Sequence, residues 1–139
     1  MADRNEIQRV AAAALSFKSN FYQLLDNPTR RAELAQVYHP GASCLMEWNG
    51  HALNTPEEIA AYLNQLPKTN HQIDTADAHP LPGCEGADSI LLTVTGRVTY
   101  DSEHRREFFQ RFVLRKTEPS SSKLYIINDY YRWLSEKSV

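Results

Sequence analysis

Ile90-Leu91-Leu92-Thr93-Val94-Thr95-Gly96-Arg97-Val98-Thr99-Tyr100 is the stretch on which the fold turns. Side chains two apart on a strand point the same way, so Ile90, Leu92, Val94, Val98 and Tyr100 share one face, and Leu91, Thr93, Thr95, Arg97 and Thr99 share the other. That alternation belongs to a sheet covered by other elements on one side. The strand is predicted over about 88–101, with further strands at about 70–80, 105–117 and 123–134. Turn-rich segments separate them: Pro82-Gly83-Cys84-Glu85-Gly86, Asp101-Ser102-Glu103 and Pro119 to Ser122.

Upstream the period becomes helical. Asp3 with Glu6 three residues on forms a capping box, and Ile7, Val10, Ala14, Phe17, Phe21 and Leu24 follow at spacings of three and four. The helix they predict stops at Asp26-Asn27-Pro28, where Asn27 is placed to cap a second helix that carries Leu34 and Tyr38 on one face. Ser43 to Trp48 and His51 to Leu53 form a hairpin around Asn49-Gly50, a pair suited to the positive φ angles of a type I′ turn. Thr55-Pro56-Glu57-Glu58 starts a third helix, with Ile59, Tyr62, Leu63 and Leu66 as its buried stripe and Pro67 at its end. Three helices with a mostly antiparallel sheet make the class α+β, and 139 residues make one domain over 1–139.

Fifteen Lys plus Arg against seventeen Asp plus Glu give a net charge of −2, so the chain lacks the basic excess of a protein that binds nucleic acid by itself. Cys44 and Cys84 show no metal-ligand or disulfide spacing; no metal or cofactor is expected, and a reducing compartment fits best. The charged N-terminus has no signal-peptide run, and no segment is long and apolar enough to span a bilayer, so a soluble protein without a membrane partner is expected.

The last strands carry large apolar groups on both faces. Phe108, Phe112 and Leu114 share one side, while Phe109 and Val113 lie on the other among Glu107, Arg111 and Arg115. In the final strand Leu124, Ile126 and Tyr130 face one way, and Tyr125, Ile127, Tyr131 and Trp133 the other. Three helices cover one face of such a sheet, so the second face, with aromatics interleaved among charges, is expected to be buried against another protein. The alternative is that the C-terminal aromatics pack over a sheet edge within the monomer. Asp77 and His79, two apart on the polar strand, are candidates for an acid/base pair, for solvated edge residues, or for a polar part of the interface.

Trp48-Asn49-Gly50, preceded by Leu34 to Tyr38 and Gly41-Ala42-Ser43, resembles the nuclear transport factor 2-like fold. More narrowly, it is similar to the nuclear transport factor 2-related export proteins, the small subunits of the TAP-type mRNA export receptor. Tyr62 to Pro67, Asp77 to Pro80, Phe108 to Leu114 and Asn128 to Arg132 support the resemblance in the same order. It implies a cone-like domain with an apolar cavity walled by Trp48, Tyr38 and Phe21, and no catalysis. It also implies a sheet face that pairs with the large subunit, with Phe-Gly repeats bound mainly by that partner and no direct contact with nucleic acid. Shuttling between nucleus and cytoplasm follows. Arg132 resembles the residue that pairs with an Asp of the large subunit; Asp129, Tyr131 and Asp77 lie in the matching strands. With His79, Phe109, Arg111, Val113, Ile127 and Trp133 they form the candidate partner-binding set.

Simple alternation puts Arg132 on the wrong side, beside Ile126, and a bulge near Asp129-Tyr130 would correct this. Three alternatives remain: a homodimeric Ran·GDP carrier, disfavoured because Asn49 replaces that carrier's acidic hairpin residue; a cone-cavity isomerase or dehydratase; and direct binding of Phe-Gly repeats.

Overall fold

The structure, a computed structural model, describes residues 4–38, 45–80, 89–101, 103–116 and 123–134. The Asp3 cap, His39, the strand start at Ser43-Cys44, both cysteines, the turns at Pro82 to Gly86 and Pro119 to Ser122, and Ser102 lie outside the described residues.

Helix α1 runs from Arg4 to Leu25 and buries Val10, Ala14, Phe21, Leu24 and Leu25, as its three-four spacing predicts. The Asn27-Pro28 reading is corrected. Asn27 Oδ1 accepts from Thr29 N at 3.1 Å and Thr29 Oγ1 at 2.7 Å, closing a local turn, and the helix that follows is a 3-10 helix over Arg31–Val37.

The cause lies in Arg31, which is 1% exposed and reaches inward. Its Nε donates to Leu25 O at 2.8 Å, Nη1 to Leu66 O, and Nη2 to Pro67 O at 2.7 Å and Thr69 Oγ1 at 3.2 Å. One guanidinium thus ties the end of α1 to the end of α2 (Pro56–Asn64) and to the next strand.

Strands β1 (Leu45–Trp48) and β2 (His51–Leu53) form the expected hairpin, with Asn49 and Gly50 at φ 49° and 86°. Thr55 caps α2 by accepting from Glu58 N at 3.1 Å, with Pro56 in the first turn. β3 (Thr69–Pro80), β4 (Ser89–Tyr100), β5 (His104–Lys116) and β6 (Leu124–Trp133) complete a six-stranded sheet of order β2-β1-β6-β5-β4-β3. All pairs are antiparallel except β1 with β6. The helices lie against the face carrying Ile90, Leu92, Val94, Val98, Phe108, Phe112 and Leu114, all in the core.

Two bulges change which residues reach that core. In β3, Asp74 is the extra residue between the pairs Ile73–Gly96 and Thr75–Thr95, so His71 and Ile73 point inward before it and Ala76 and Ala78 after it. In β6, Ile127 is the extra residue between the pairs Leu114–Ile126 and Val113–Asn128. The expected bulge therefore exists, two residues earlier than its predicted place. Beyond it Asp129 and Tyr131 turn inward, at 1% and 0% exposure, and Tyr130 and Arg132 turn outward.

Candidate functional site

The face turned away from the helices is the candidate site. Its centre is built by cross-strand rows. Asp77, Thr93, Arg111 and Tyr130 form one row, and Thr75, Thr95, Phe109 and Arg132 form the next. His79, Leu91, Val113 and Asn128 form a third. Phe109, Val113, Leu91 and Tyr130 are half-buried, whereas Asp77, His79, Arg111 and Arg132 are exposed.

Phe109 meets the Tyr130 ring edge-on at 6.3 Å, and the Arg111 guanidinium lies 5.2 Å from the Tyr130 centroid. Arg111 and Arg132 stand diagonally across the β5–β6 pair, and neither forms an ion pair among the described residues. Aromatic and apolar side chains flanked by unneutralised guanidinium groups give this face the composition of a protein interface.

Asp77, His79, Phe109, Arg111, Val113 and Arg132 are thus gathered on one face. Ile127 is half-buried at the bulge. Asp77 and His79 make no bond to each other among the described contacts; His79 Nδ1 contacts Pro80 O at 3.1 Å, so no acid/base pair forms. Tyr130 and Leu91 belong to the face but were absent from the candidate partner-binding set; alternation already placed Leu91 on this side. Strict alternation had turned Tyr130 inward, and only the Ile127 bulge reverses it.

Asp129 and Tyr131 are corrections to the partner-binding set, because both are interior. Asp129 accepts from Tyr38 Oη at 2.7 Å and from Gln110 Nε2 at 2.8 Å, and Gln110 Oε1 accepts from Tyr22 Oη at 2.6 Å. Burial pushes the Asp129 carboxyl up to about 6 against the opposing pull of these two donors. A second network joins Asp26 Oδ1 to His71 Nδ1 at 2.6 Å, and His71 Nε2 to Tyr131 Oη at 3.1 Å. Burial raises the Tyr131 hydroxyl far above its ordinary pKa, keeping it a neutral donor. Both networks satisfy their own polar groups, as buried groups must.

Trp48, Tyr38 and Phe21, expected to wall a cavity, are core residues at 1%, 1% and 0% exposure. Trp48 stacks on Tyr131 at 3.7 Å and 4°, Tyr131 stacks in turn on Phe108 at 5.3 Å, and Phe21 packs on Phe112 at 4.9 Å.

Trp133 is a further correction, for it shares the inward direction of Tyr131 at the rim of the sheet. Its Nε1 donates to Tyr100 Oη at 2.9 Å, its backbone N donates to Asn49 Oδ1 at 2.7 Å, and Arg106 lies 5.5 Å from its ring. Among the described residues, no cluster of three His, Cys, Asp or Glu side chains has metal-site geometry, and no helix is long and apolar enough to cross a membrane.

The model of the nuclear transport factor 2 (NTF2) domain matches residues 13–133. The chain belongs to the NTF2 domain family. The matched segment of this NTF2 domain runs from the buried half of α1 to the end of β6. The chain is 26% identical over 130 residues to NTF2-related export protein 1 of Bos taurus, covering 91% of this chain and 90% of the relative. Among solved structures, NTF2 from Cryptosporidium parvum superimposes with a TM-score of 0.76 at 23% identity, over 91% of this chain and 95% of that one. A chain of the C. albicans Mtr2–Mex67 M domain complex superimposes with a TM-score of 0.73 at 13% identity, over 94% and 99%. These two likenesses establish the NTF2-like fold.

Proposed function

We propose that this chain is a non-enzymatic partner subunit of a TAP-type mRNA export receptor. Its outer sheet face docks against the NTF2-like domain of the large subunit and stabilises that domain. The large subunit then binds Phe-Gly nucleoporin repeats and carries mRNA through the nuclear pore, and this chain shuttles with it between nucleus and cytoplasm.

The observation that carries the reading is the checkerboard of Phe109, Tyr130, Arg111 and Arg132 on a face with no helix over it among the described residues. Half-buried aromatics on an uncovered face gain from a second protein, and unneutralised arginines ask that protein for carboxylates. The name of the bovine relative and the complex that contains the C. albicans chain support the same assignment. Asp129 is enclosed, Asp26 is partly buried, and both are hydrogen-bonded, which favours a structural role for them over a catalytic one.

Co-expression with the large subunit's NTF2-like domain, followed by solution mass measurement, tests the proposal. The expected species is a 1:1 complex. Arg132→Asp should abolish it, since stranding a buried charge costs roughly 2–5 kcal/mol. Unchanged co-purification of Arg132→Asp, or a stable monomer that ignores the large subunit, would refute it.

A further inference from the structure

Beyond the bulge in β6, each of the buried residues Asp129 and Tyr131 is preceded by a residue of nearly its own shape: Asn128 stands before Asp129, and Tyr130 before Tyr131. The surplus residue Ile127 gives this strand a second geometric solution, in which the bulge stands at Arg132 instead of between Ile126 and Asn128. Ile127 then pairs with Val113, Asn128 with Phe112, Asp129 with Arg111, Tyr130 with Gln110 and Tyr131 with Phe109, while Trp133 keeps Phe108.

Both ends of the segment are anchored outside it. Tyr38 bridges Ile126 ahead of it, and behind it Trp133 N donates to Asn49 Oδ1 at 2.7 Å and Leu134 N to Glu107 O at 2.9 Å. Only residues 127–131 move, by one strand step of about 3.3 Å.

The step exchanges like for like in the interior. Tyr130 takes the place of Tyr131 between Trp48 and Phe108, within reach of His71 Nε2. Asn128 takes the place of Asp129, so an amide replaces a buried carboxyl. Its Oδ1 accepts from Gln110 Nε2, and its Nδ2 donates to Tyr38 Oη, whose own proton turns to Met46 Sδ, already 3.9 Å away. Ile127 moves onto the outer row of Leu91 and Val113. The outer face changes more. In the described register Arg111 and Arg132 flank Tyr130 without an ion pair among the described residues; in the second, Asp129 lies directly opposite Arg111, and Arg132 becomes the bulged residue.

We propose that residues 127–131 of β6 step between these two registers, and that the docking face assigned to the large subunit exists in only one of them. A partner that sets carboxylates against Arg111 and Arg132 selects the described register, so docking and register regulate each other. This coupling rests on the function proposed above; the step itself does not.

The test places fluorotyrosine at position 130 or at position 131 of the full chain and reads exchange by fluorine NMR saturation transfer. Each site should show a minor resonance, with the same population and rate at both, since one step moves both rings. Tyr131→Phe removes the His71 bond from the described register alone and should raise the minor population seen at 130 about fivefold; Tyr130→Phe should lower the one seen at 131 by a similar factor. Deleting Ile127 removes the surplus residue and should abolish the exchange. No exchange at either site, different rates at the two, exchange that survives the deletion, or, should the deleted chain not fold, shifts of the same sign in the two Phe variants would overturn the proposal. With the large subunit bound, the minor resonances should vanish. A complex in which they persist overturns the coupling, whereas absence of any complex refutes the docking reading and leaves the step to be decided on the chain alone.

Discussion

Replacing Arg31 with Met keeps the buried stem and removes the charge and its donors. In the native protein those donors reach Leu25 O, Leu66 O, Pro67 O and Thr69 Oγ1. Charge-assisted bonds contribute roughly 1.5–3 kcal/mol each, but their simple sum overstates the loss. Leu25 O also accepts from Thr69 Oγ1 at 3.4 Å, and Pro67 is exposed, so its carbonyl regains water. The net cost worked this way is about 3–5 kcal/mol, the size seen when a buried charged network is broken. A domain of this length holds only about 5–15 kcal/mol in all.

Arg31→Lys should lose about half as much, since a single ammonium cannot span carbonyls set on two helix ends. Urea unfolding at neutral pH, followed by tryptophan fluorescence, reads both variants directly. The midpoint should fall with an unchanged slope. A loss below about 1 kcal/mol for Arg31→Met, or Lys performing as well as Arg, would mean that the clamp is incidental and the 3-10 helix is held by packing of Leu34 and Tyr38 alone.

The Asp129 carboxyl has a folded pKa raised from 3.8 to about 6, so between these values the folded state holds a proton that the unfolded chain has lost. Its contribution to stability should therefore fall as pH rises from about 4 to about 6, by about 3 kcal/mol in total, and Asp129→Asn should flatten that slope in urea melts across the window. Gly96→Ala should destabilise by about 3 kcal/mol in the same assay, because a Cβ there meets Gln72 O at 2.1 Å, a backbone atom that moves only if the β3 bulge moves. Phe109→Glu, on the outer face, should leave the thermal midpoint of the isolated chain nearly unchanged while removing the large subunit from pull-downs; a large drop in the midpoint would place Phe109 in the fold instead of the interface.

Local chemistry was readable wherever it decides structure by itself. Asn49-Gly50 dictates its turn, Thr55-Pro56 dictates a helix start, and the alternation of Ile90 to Tyr100 dictates which side of β4 is dry. Features set by a neighbouring strand were not readable. Asp74 and Ile127 carry no mark of being bulged, because the extra residue exists only relative to the pairing on β4 and β5.

From this follow the errors at the site. Strict alternation faced Tyr130 inward and Tyr131 outward, and the pairing with Val113 and Leu114 reverses both. The interior networks were hidden for another reason. Arg31, His71, Gln110 and Asp129 belong to residue types that are mostly exposed or at most half-buried, and their burial depends on partners as far away in sequence as Tyr38 and Asp26.

Ile127 also separates two histories of change within one strand. Ahead of it, even-numbered residues of β6 face the core, and after it the odd-numbered ones do. A substitution at 127 alters only a half-buried side chain, and deleting that one residue leaves Ile126 opposite Leu114 and Asn128 opposite Val113, with Asp129 and Tyr131 still inward. Deleting Tyr130, a paired residue beyond the bulge, would instead swing Tyr131 out and Arg132 in beneath Trp48, stranding a cation where a ring now stacks. The bulge thus absorbs one surplus residue: the strand on either side keeps its partners with or without it, and the load of the core stays on the same register.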